Sequence, residues 1–592
     1  MSQNDLPTEL QIPRQQSMPG ALVFRSKALA HQSVRLVEGI TSNRRYPQTT
    51  SLAHLDVLAE STTSLITDYD PREAALMAGK IHNLRIALRG INGVEVPEGG
   101  VFSFWAQIGK PSRRRGYAEG RELRQGCLVP SAGGGLCQLS NALYQCALES
   151  GFEIVERHAH TKIVAGSLAE FGRDATVFWN YVDLRFKSPS AFRIEAHLDR
   201  DNLVVRFKGV RTWASIPALA PAQTVIRSGP SPRSCASCGI TSCARNLEKR
   251  LPRSLSFGRT AYLVDEYWPE FDSFIRSNKQ REDVIGVPVT TLPFGRPRPA
   301  WDTTGFHTVR AVTATKVRRS LELRNVRDQG AARQRVLLKY DRKLAESFAA
   351  LLTYDVTHVT VSQNLLPFLW HDGYLGGRTF DVLMTRLPMR ALQDRLDFVL
   401  GRHPESKTLG DFRADDWIVQ AESQALAQAR KVVTPHSEIA ALFGDRAELI
   451  PWCLPAVLEM PRPGDGVLFP ASTLGRKGAY ELRDAAKILD LELAVVGKDL
   501  ESSGFWNGVS IRRCSANPLH GIGLVVLPAY IEDKPRRLLE AVACGIPVIA
   551  SAACGLRWLE GVRTLPGIGV GILASEIRSV IGPAETLAAS FV

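Results

Sequence analysis

The sequence predicts an α+β domain followed by a larger α/β unit of two lobes, and three observations predict it. Helical periodicities lead into short β-rich runs in the first third of the chain. A stretch crowded with proline, serine and cysteine follows, near residues 211–258. Beyond it, apolar strand-like runs alternate with helical stretches to the end. Such alternation argues a parallel sheet covered by helices. With 592 residues and 44% hydrophobic content, the chain exceeds one core and does not lack core material. The expected order is a loosely ordered extension over 1–50, an α+β domain over 51–210, and a linker over 211–258. Two lobes then follow, over 259–430 and 431–592.

The balance is basic, with 73 Lys+Arg against 60 Asp+Glu, formally +13. That fits a basic soluble surface or an anionic partner such as a nucleotide-sugar, a cell-wall precursor or an acidic membrane surface. Nucleic acid is not expected, because no recognition helix, zinc finger or RNP-type run is present. The first residues, MSQNDLPTELQIPRQQS, hold no apolar run and do not read as a secretory signal. No stretch has the ~20 apolar residues of a membrane span. The expected location is therefore cytoplasmic, with peripheral membrane contact open, and the ten cysteines are expected to be reduced or metal-bound.

In order along the chain, Ala75, Met77, Ile81, Leu84 and Leu88 keep helical spacing from Arg72 until the glycines at 90 and 93. A second helix is expected from Leu136 to Glu149. Strands are expected in FEIVER, ATVFW, DLRF, FRIEAHL and NLVVRF.

The turn Gly133-Gly134-Gly135 opens the second helix and places Cys137 in its first turn. Free N–H groups and the helix dipole there favour a thiolate. Leu136, Leu139, Leu143 and Cys146 form the apolar stripe. Cys137 falls off it, beside Ser140, Asn141 and Tyr144. His158 and His160, two apart in a strand, would share a face, and Asp174 would open the next strand. Thiol, imidazole and carboxylate in this order fit a cysteine acyl-transfer triad. The histidines could instead bind a metal with Cys137, or the group could be plain packing.

The segments NGVEVPEGGVFSFWAQIG, GYAEG, GGGLCQLSNALYQCAL, FEIVERHAHT, GRDATV and DLRFKS, in this order, resemble the VanW family over roughly residues 70–210. That family is associated with the vancomycin-resistance gene cluster and with the cell envelope. The resemblance implies a cell-wall context, and the expected partner is a peptidoglycan-type precursor or another envelope glycan. Many relatives are membrane-anchored and exported, and no anchor is read in this sequence.

In the second half, strands are expected in AYLVDEY, DVTHVTVS, KVVTP, GVLFP, LELAVVG, GLVVLP and IPVIAS. Glu532 follows one strand on a loop, and Glu540 lies in the helix leading to the next. Ligands of α/β sheets bind at that edge, and carboxylates accept hydrogen bonds from sugar hydroxyls. Arg476 and Lys477 precede a glycine and a helix, where a diphosphate would be favoured. The segments GVLFPASTLGRKGAYELRDAA, LAVVGK and VVLPAYIEDKPRRLLEAVACGIPVIAS resemble retaining GT-B glycosyltransferases of the family-4 type, over about 259–585. The resemblance implies a nucleotide-sugar donor, with Glu532 on the sugar, Glu540 on the ribose and Lys477 on the diphosphate. The usual arginine five residues before that lysine is Ser472 here, so Arg476 is the candidate substitute. His371 and His436 are candidates for acceptor or phosphate contact. The fold class expected is thus a VanW-like α+β domain followed by a GT-B-like double Rossmann-type α/β unit.

Cys235, Cys238 and Cys243, spaced C-x2-C-x4-C, would suit zinc or an iron–sulfur cluster given an outside ligand, or stay reduced. The functional expectation is a cell-envelope glycosyltransferase joined to a precursor-binding or thiol acyl-transfer half. The alternatives are a non-catalytic wall-binding scaffold with a degenerate GT-B module, and a metal or iron–sulfur sensor.

Overall fold

The computed structural model describes residues 44–66, 70–124, 127–160, 167–179, 181–211, 233–234, 258–289, 300–326, 330–514 and 518–582. Cys235, Cys238 and Cys243 lie outside these residues. The chain divides into two compact units. The first runs to Gly258 and adds Thr353–Thr357 and Asp372–Arg378; the second holds the rest.

The first unit is α+β. Its main sheet is antiparallel, in the order Val57–Ser64, Asn202–Gly209, Phe192–Leu198, Val94–Val96. The two expected helices form over Ala74–Ile91 and Cys137–Glu149. Leu139, Leu143 and Cys146 of the second are fully buried, as the apolar stripe requires. Phe152, Phe186, Phe192 and Phe207 pack face to face and at tilted angles, with centroids 4.8–6.3 Å apart. Each such ring, fully buried, contributes roughly 1.5–3 kcal/mol. This core supports both ends of the site region.

Two smaller antiparallel pairings aim the site. Strand Cys127–Ala132, paired with Glu119–Arg124, runs straight into the glycine turn. Strand Glu153–Glu156, paired with Arg185–Lys187, runs towards the histidines. Here the structure differs from the expectation. Residues 157–160 and 173–177 are irregular, not strands. The two segments are joined instead by single bonds: Thr176 N donates to His158 O at 2.8 Å, and Arg157 Nε to Asp174 O at 2.7 Å. A register shift between Ile154 and Glu156 already breaks the ladder before them. The period-2 argument for the two imidazoles therefore does not apply.

The second unit carries two sheets. One has seven strands, ordered Thr308–Ala311, Val284–Val287, Arg259–Leu263, Val356–Ser362, Thr379–Leu383, Lys431–Thr434, Ala447–Leu449. The other has six, ordered Ile511–Arg513, Leu493–Val495, Gly466–Phe469, Ile522–Leu527, Val548–Ala550, Val562–Thr564. In sequence order within each sheet this is third-second-first-fourth-fifth-sixth, the doubly wound order, with a seventh strand at the edge of the first sheet. The pairings described are parallel throughout. Apolar strands such as Val467–Phe469 and Val525–Leu527 are buried on both faces, as parallel sheets demand. The unit is a double Rossmann-type α/β body. Its two sheets are bridged by Arg536 with Glu270, a two-pronged pair at 2.7 and 2.6 Å, and by Lys534 with Glu266 at 2.7 Å. Among the described residues no helix is long and apolar enough to cross a membrane.

Candidate functional site

Cys137 is the first residue of its helix, at the end of the strand–turn–helix path from Cys127. The glycine turn is there because nothing larger fits. A Cβ on Gly134 would collide with the Gly120 backbone, and Gly135, at φ +100°, would drive one into the Lys80 stem. The turn is thus pinned between a neighbouring strand and the first helix.

His160 reaches the same place from an irregular segment, held by Asp174 at two points. Its backbone N–H donates to Asp174 Oδ2 at 2.6 Å and its ring Nδ1 to Oδ1 at 2.5 Å. The Asp174 loop is fixed to the Cys137 helix in turn. Asn141 Oδ1 accepts from Ala175 N at 2.8 Å, and Ser140 Oγ donates to Ala175 O at 2.5 Å. The His160 and Asp174 side chains are 15% and 5% exposed, so this is a desolvated pair. With Nδ1 committed to the carboxylate, Nε2 is left for the thiol.

The electrostatics follow. Burial alone would push the Cys137 thiol up. The hydrogen bond and positive charge of His160 reverse it, aided by backbone hydrogen bonding at Val177 and by the Thr176 hydroxyl at 3.8 Å, and the thiol ends below its ordinary value. Burial would likewise lower His160, but Asp174 and Cys137 together raise it to about 10. Each group thus favours the ionised form of the other, a thiolate beside an imidazolium. Cys146, nine residues on in the core, is pushed the other way by burial. His158 does not join the group; its Nε2 lies 3.3 Å from Glu156 and half of its side chain faces solvent.

Cys137 and His160 line a cavity of about 530 Å³. Trp105 and Trp179, edge to face at 5.5 Å, form part of its wall. Lys80 and Arg121 also line it. Nothing in the sequence singles out these four residues. The pairing of Ser140 and Asn141 with the Asp174 loop is equally hidden there, although helical spacing puts both on the Cys137 face.

In the second unit, Lys477 and Glu532 converge at the carboxyl ends of Gly466–Phe469 and Ile522–Leu527, the two adjacent strands at which the winding reverses. Lys477 Nζ donates to Glu532 Oε2 at 2.8 Å and to Ile531 O at 3.0 Å. Burial would raise Glu532, but the Lys477 charge and hydrogen bond, the Lys534 N–H and Arg476 hold it below the usual carboxylate value. The Arg476 guanidinium carbon lies 4.8 Å over the Phe412 ring. Glu540 stands exposed on the helix Arg536–Ala543, with no side-chain bond or ion pair among the described residues. Ser472, in the place of the usual arginine, packs directly against Gly497, where a Cβ would strike Ser472 Oγ.

His436 is buried beneath this corner. Its Nε2 faces the carbonyls of Glu532 and Ala553, both at 3.2 Å, so it donates, and Nδ1 has no partner among the described residues. Burial depresses its pKa, so it is neutral. Gly555, at φ +69°, is required there, since a Cβ would strike the imidazole. His371 is exposed and sits 4.8 Å from the Trp417 ring. Among the described residues no group of three or more His, Cys, Asp or Glu could hold a metal ion.

The first site belongs to the class of thiol–imidazole–carboxylate sites in an α+β domain. Residues 79–208, which contain all of it, match the family model described as VanW like protein, so the chain carries a VanW domain. The domain is 31% identical over 143 residues to the uncharacterized protein YoaR of Bacillus subtilis, covering 24% of this chain and 45% of that protein. It is 28% identical over 136 residues to the vancomycin B-type resistance protein VanW of Enterococcus faecalis, covering 21% and 47%. The chain spans about half the length of these curated relatives. The second unit matches GT-B glycosyltransferases among solved structures. Sucrose-phosphate synthase of Thermosynechococcus elongatus is 17% identical at a TM-score of 0.35, over 55% of this chain and 90% of that one. The E. coli trehalose-6-phosphate protein bound with UDP-2-fluoro glucose is 9% identical at 0.34, over 55% and 93%. At these scores no residue role is transferred.

Proposed function

We propose that the VanW domain transfers acyl groups through Cys137, on a peptidoglycan-type precursor or another envelope component. The observation that carries this reading is the Cys137–His160–Asp174 convergence, with a thiol held below its ordinary value at the wall of a cavity. The thiolate attacks the acyl carbonyl carbon. The C–N bond of the donor breaks, its nitrogen leaves with the proton carried by His160, and a thioester remains on Cys137. An acceptor amine or water, deprotonated by His160, then takes the acyl group and the sulfur leaves as thiolate. Asp174 keeps the imidazole in the required tautomer throughout.

Alkylation of Cys137 by iodoacetamide across pH tests this. The thiolate fraction rises with pH through the lowered thiol pKa, so the rate should reach its plateau below the pH of an ordinary thiol. In His160→Ala the strongest opposition to burial is lost, and the profile should move to higher pH than in wild type. Identical profiles in the two proteins would exclude a working dyad.

The second unit is read as a nucleotide-sugar glycosyltransferase that retains anomeric configuration, the single supporting observation being the Lys477–Glu532 pair at the winding reversal. In that reading Lys477 and Arg476 meet the diphosphate, Glu532 the donor sugar and Glu540 the ribose. Lys477 would move from Glu532 to the phosphates as donor binds. Titration of the full chain with UDP-, GDP- and ADP-sugars, with the product anomer read by NMR, tests it. No binding and no turnover across the panel would leave a scaffold module.

A further inference from the structure

We propose that the cavity beside Cys137 selects a carboxylate-bearing acyl substrate, and that Lys80 is the residue that recognises the carboxylate. This deepens, and rests on, the thiol-transfer reading of the same cavity.

Lys80 projects from the middle of the helix Ala74–Ile91. Its stem lies against Gly135, two residues before Cys137 in the chain; this is the contact that forbids a side chain at that glycine. Its ammonium donates to Leu65 O at 3.0 Å and has no ion-pair partner among the described residues. Loss of hydration, with repulsion from Arg121, lowers it to about 8. An ammonium taken from water normally keeps a counter-ion. Arg121 has one, since its Nε lies 3.1 Å from Glu73 Oε2. Lys80 instead lines the cavity with its charge uncompensated among the described residues.

The rest of the lining points the same way. Lys80, Lys110, Arg121 and His160 face Glu122, the one acidic residue of the wall among the described residues. Trp105 and Trp179 are the apolar counterpart. A substrate with a carboxylate near its acyl carbon would place the anion on Lys80 and leave the carbonyl to Cys137. Two hydrogen-bonding roles remain open on an ammonium with one donor used, which suits a carboxylate. Lys80 is therefore a specificity residue; the reacting atoms belong to Cys137 and His160.

The experiment compares two thiol reagents of similar size, anionic iodoacetate and neutral iodoacetamide, on the full-length protein. Modification at Cys137 is followed by peptide mass mapping, and each rate is normalised to that with a free thiol. The iodoacetate-to-iodoacetamide ratio should be well above one, and Lys80→Met should lower it roughly tenfold, the order of a hydrogen bond to a charged group. His160 favours iodoacetate in both proteins, so the difference between them isolates Lys80. A second measurement needs no variant: N-acetylglycine should slow iodoacetamide modification of Cys137, and N-acetylglycinamide should not. An unchanged ratio in Lys80→Met, or equal protection by acid and amide, overturns the proposal while leaving the dyad intact. A Cys137 inert to both reagents overturns the thiol-transfer reading itself and takes this proposal with it.

Discussion

The two sites are assembled from opposite materials. In the VanW domain the reacting groups sit at a helix start behind a glycine turn and on two irregular segments, and the charge is created by proton transfer within the group. Cys137 goes down and His160 goes up because each stabilises the other's ionised form. In the second unit Lys477 and Glu532 sit on loops that regular parallel strands present, and both carry charge from the start. The first pair is open to a cavity. The second is closed upon itself, with side chains only 9% and 12% exposed. Hence removing a member of the first should chiefly affect reactivity, and removing a member of the second should chiefly affect stability.

Lys477→Met is the strongest way to break that contrast. It leaves Glu532 buried without its cation, which typically costs about 3–5 kcal/mol. The sign with pH is definite. In the native protein Glu532 lies below its ordinary 4.5, so the pair stabilises above that value and its contribution fades as pH falls through the folded value. In the variant, only the Lys534 N–H and Arg476 still oppose burial, so Glu532 rises relative to wild type, and the penalty is full at neutral pH and shrinks on acidification. Denaturant melts at pH 7 and pH 5 should show the gap to wild type narrowing. A gap under about 1 kcal/mol at pH 7 would mean that Glu532 finds water or another donor.

Much of this architecture is legible in the residues alone, and the division is physical. Strand runs such as GVLFP and GLVVLP, buried on both faces, announce themselves by composition, and so the doubly wound unit is foreseeable. So is the helix Cys137–Glu149, because Leu139, Leu143 and Cys146 repeat at helical spacing and leave Cys137 outside. The route of His160 to Cys137 is not. The sequence suggests a strand's two-residue period, whereas the structure delivers the ring through a carboxylate that binds both the backbone and the imidazole of one residue. Side-chain bonds of that kind leave no period in a sequence. Lys80 is hidden for a related reason. On a helix it reads as a solvated lysine, and only the approach of Gly135 from a distant turn encloses it.

Glu540→Gln gives the smallest expected change and the sharpest test of how far the second unit resembles a working transferase. Glu540 is exposed and unpaired among the described residues, so stability should shift by no more than about 0.5 kcal/mol. If the ribose contact implied by the resemblance is made, the amide keeps one acceptor and loses the charge. Donor affinity should then fall roughly tenfold, the usual loss for a hydrogen bond to an ionised group. Calorimetry with the donor that wild type binds separates two cases. A tenfold loss places both glutamates on one nucleotide-sugar, across the turn between the loop at Glu532 and the helix Arg536–Ala543. No loss confines recognition to the Lys477–Glu532 pair, and Glu540 is then a surface carboxylate at a family spacing without the family's use of it.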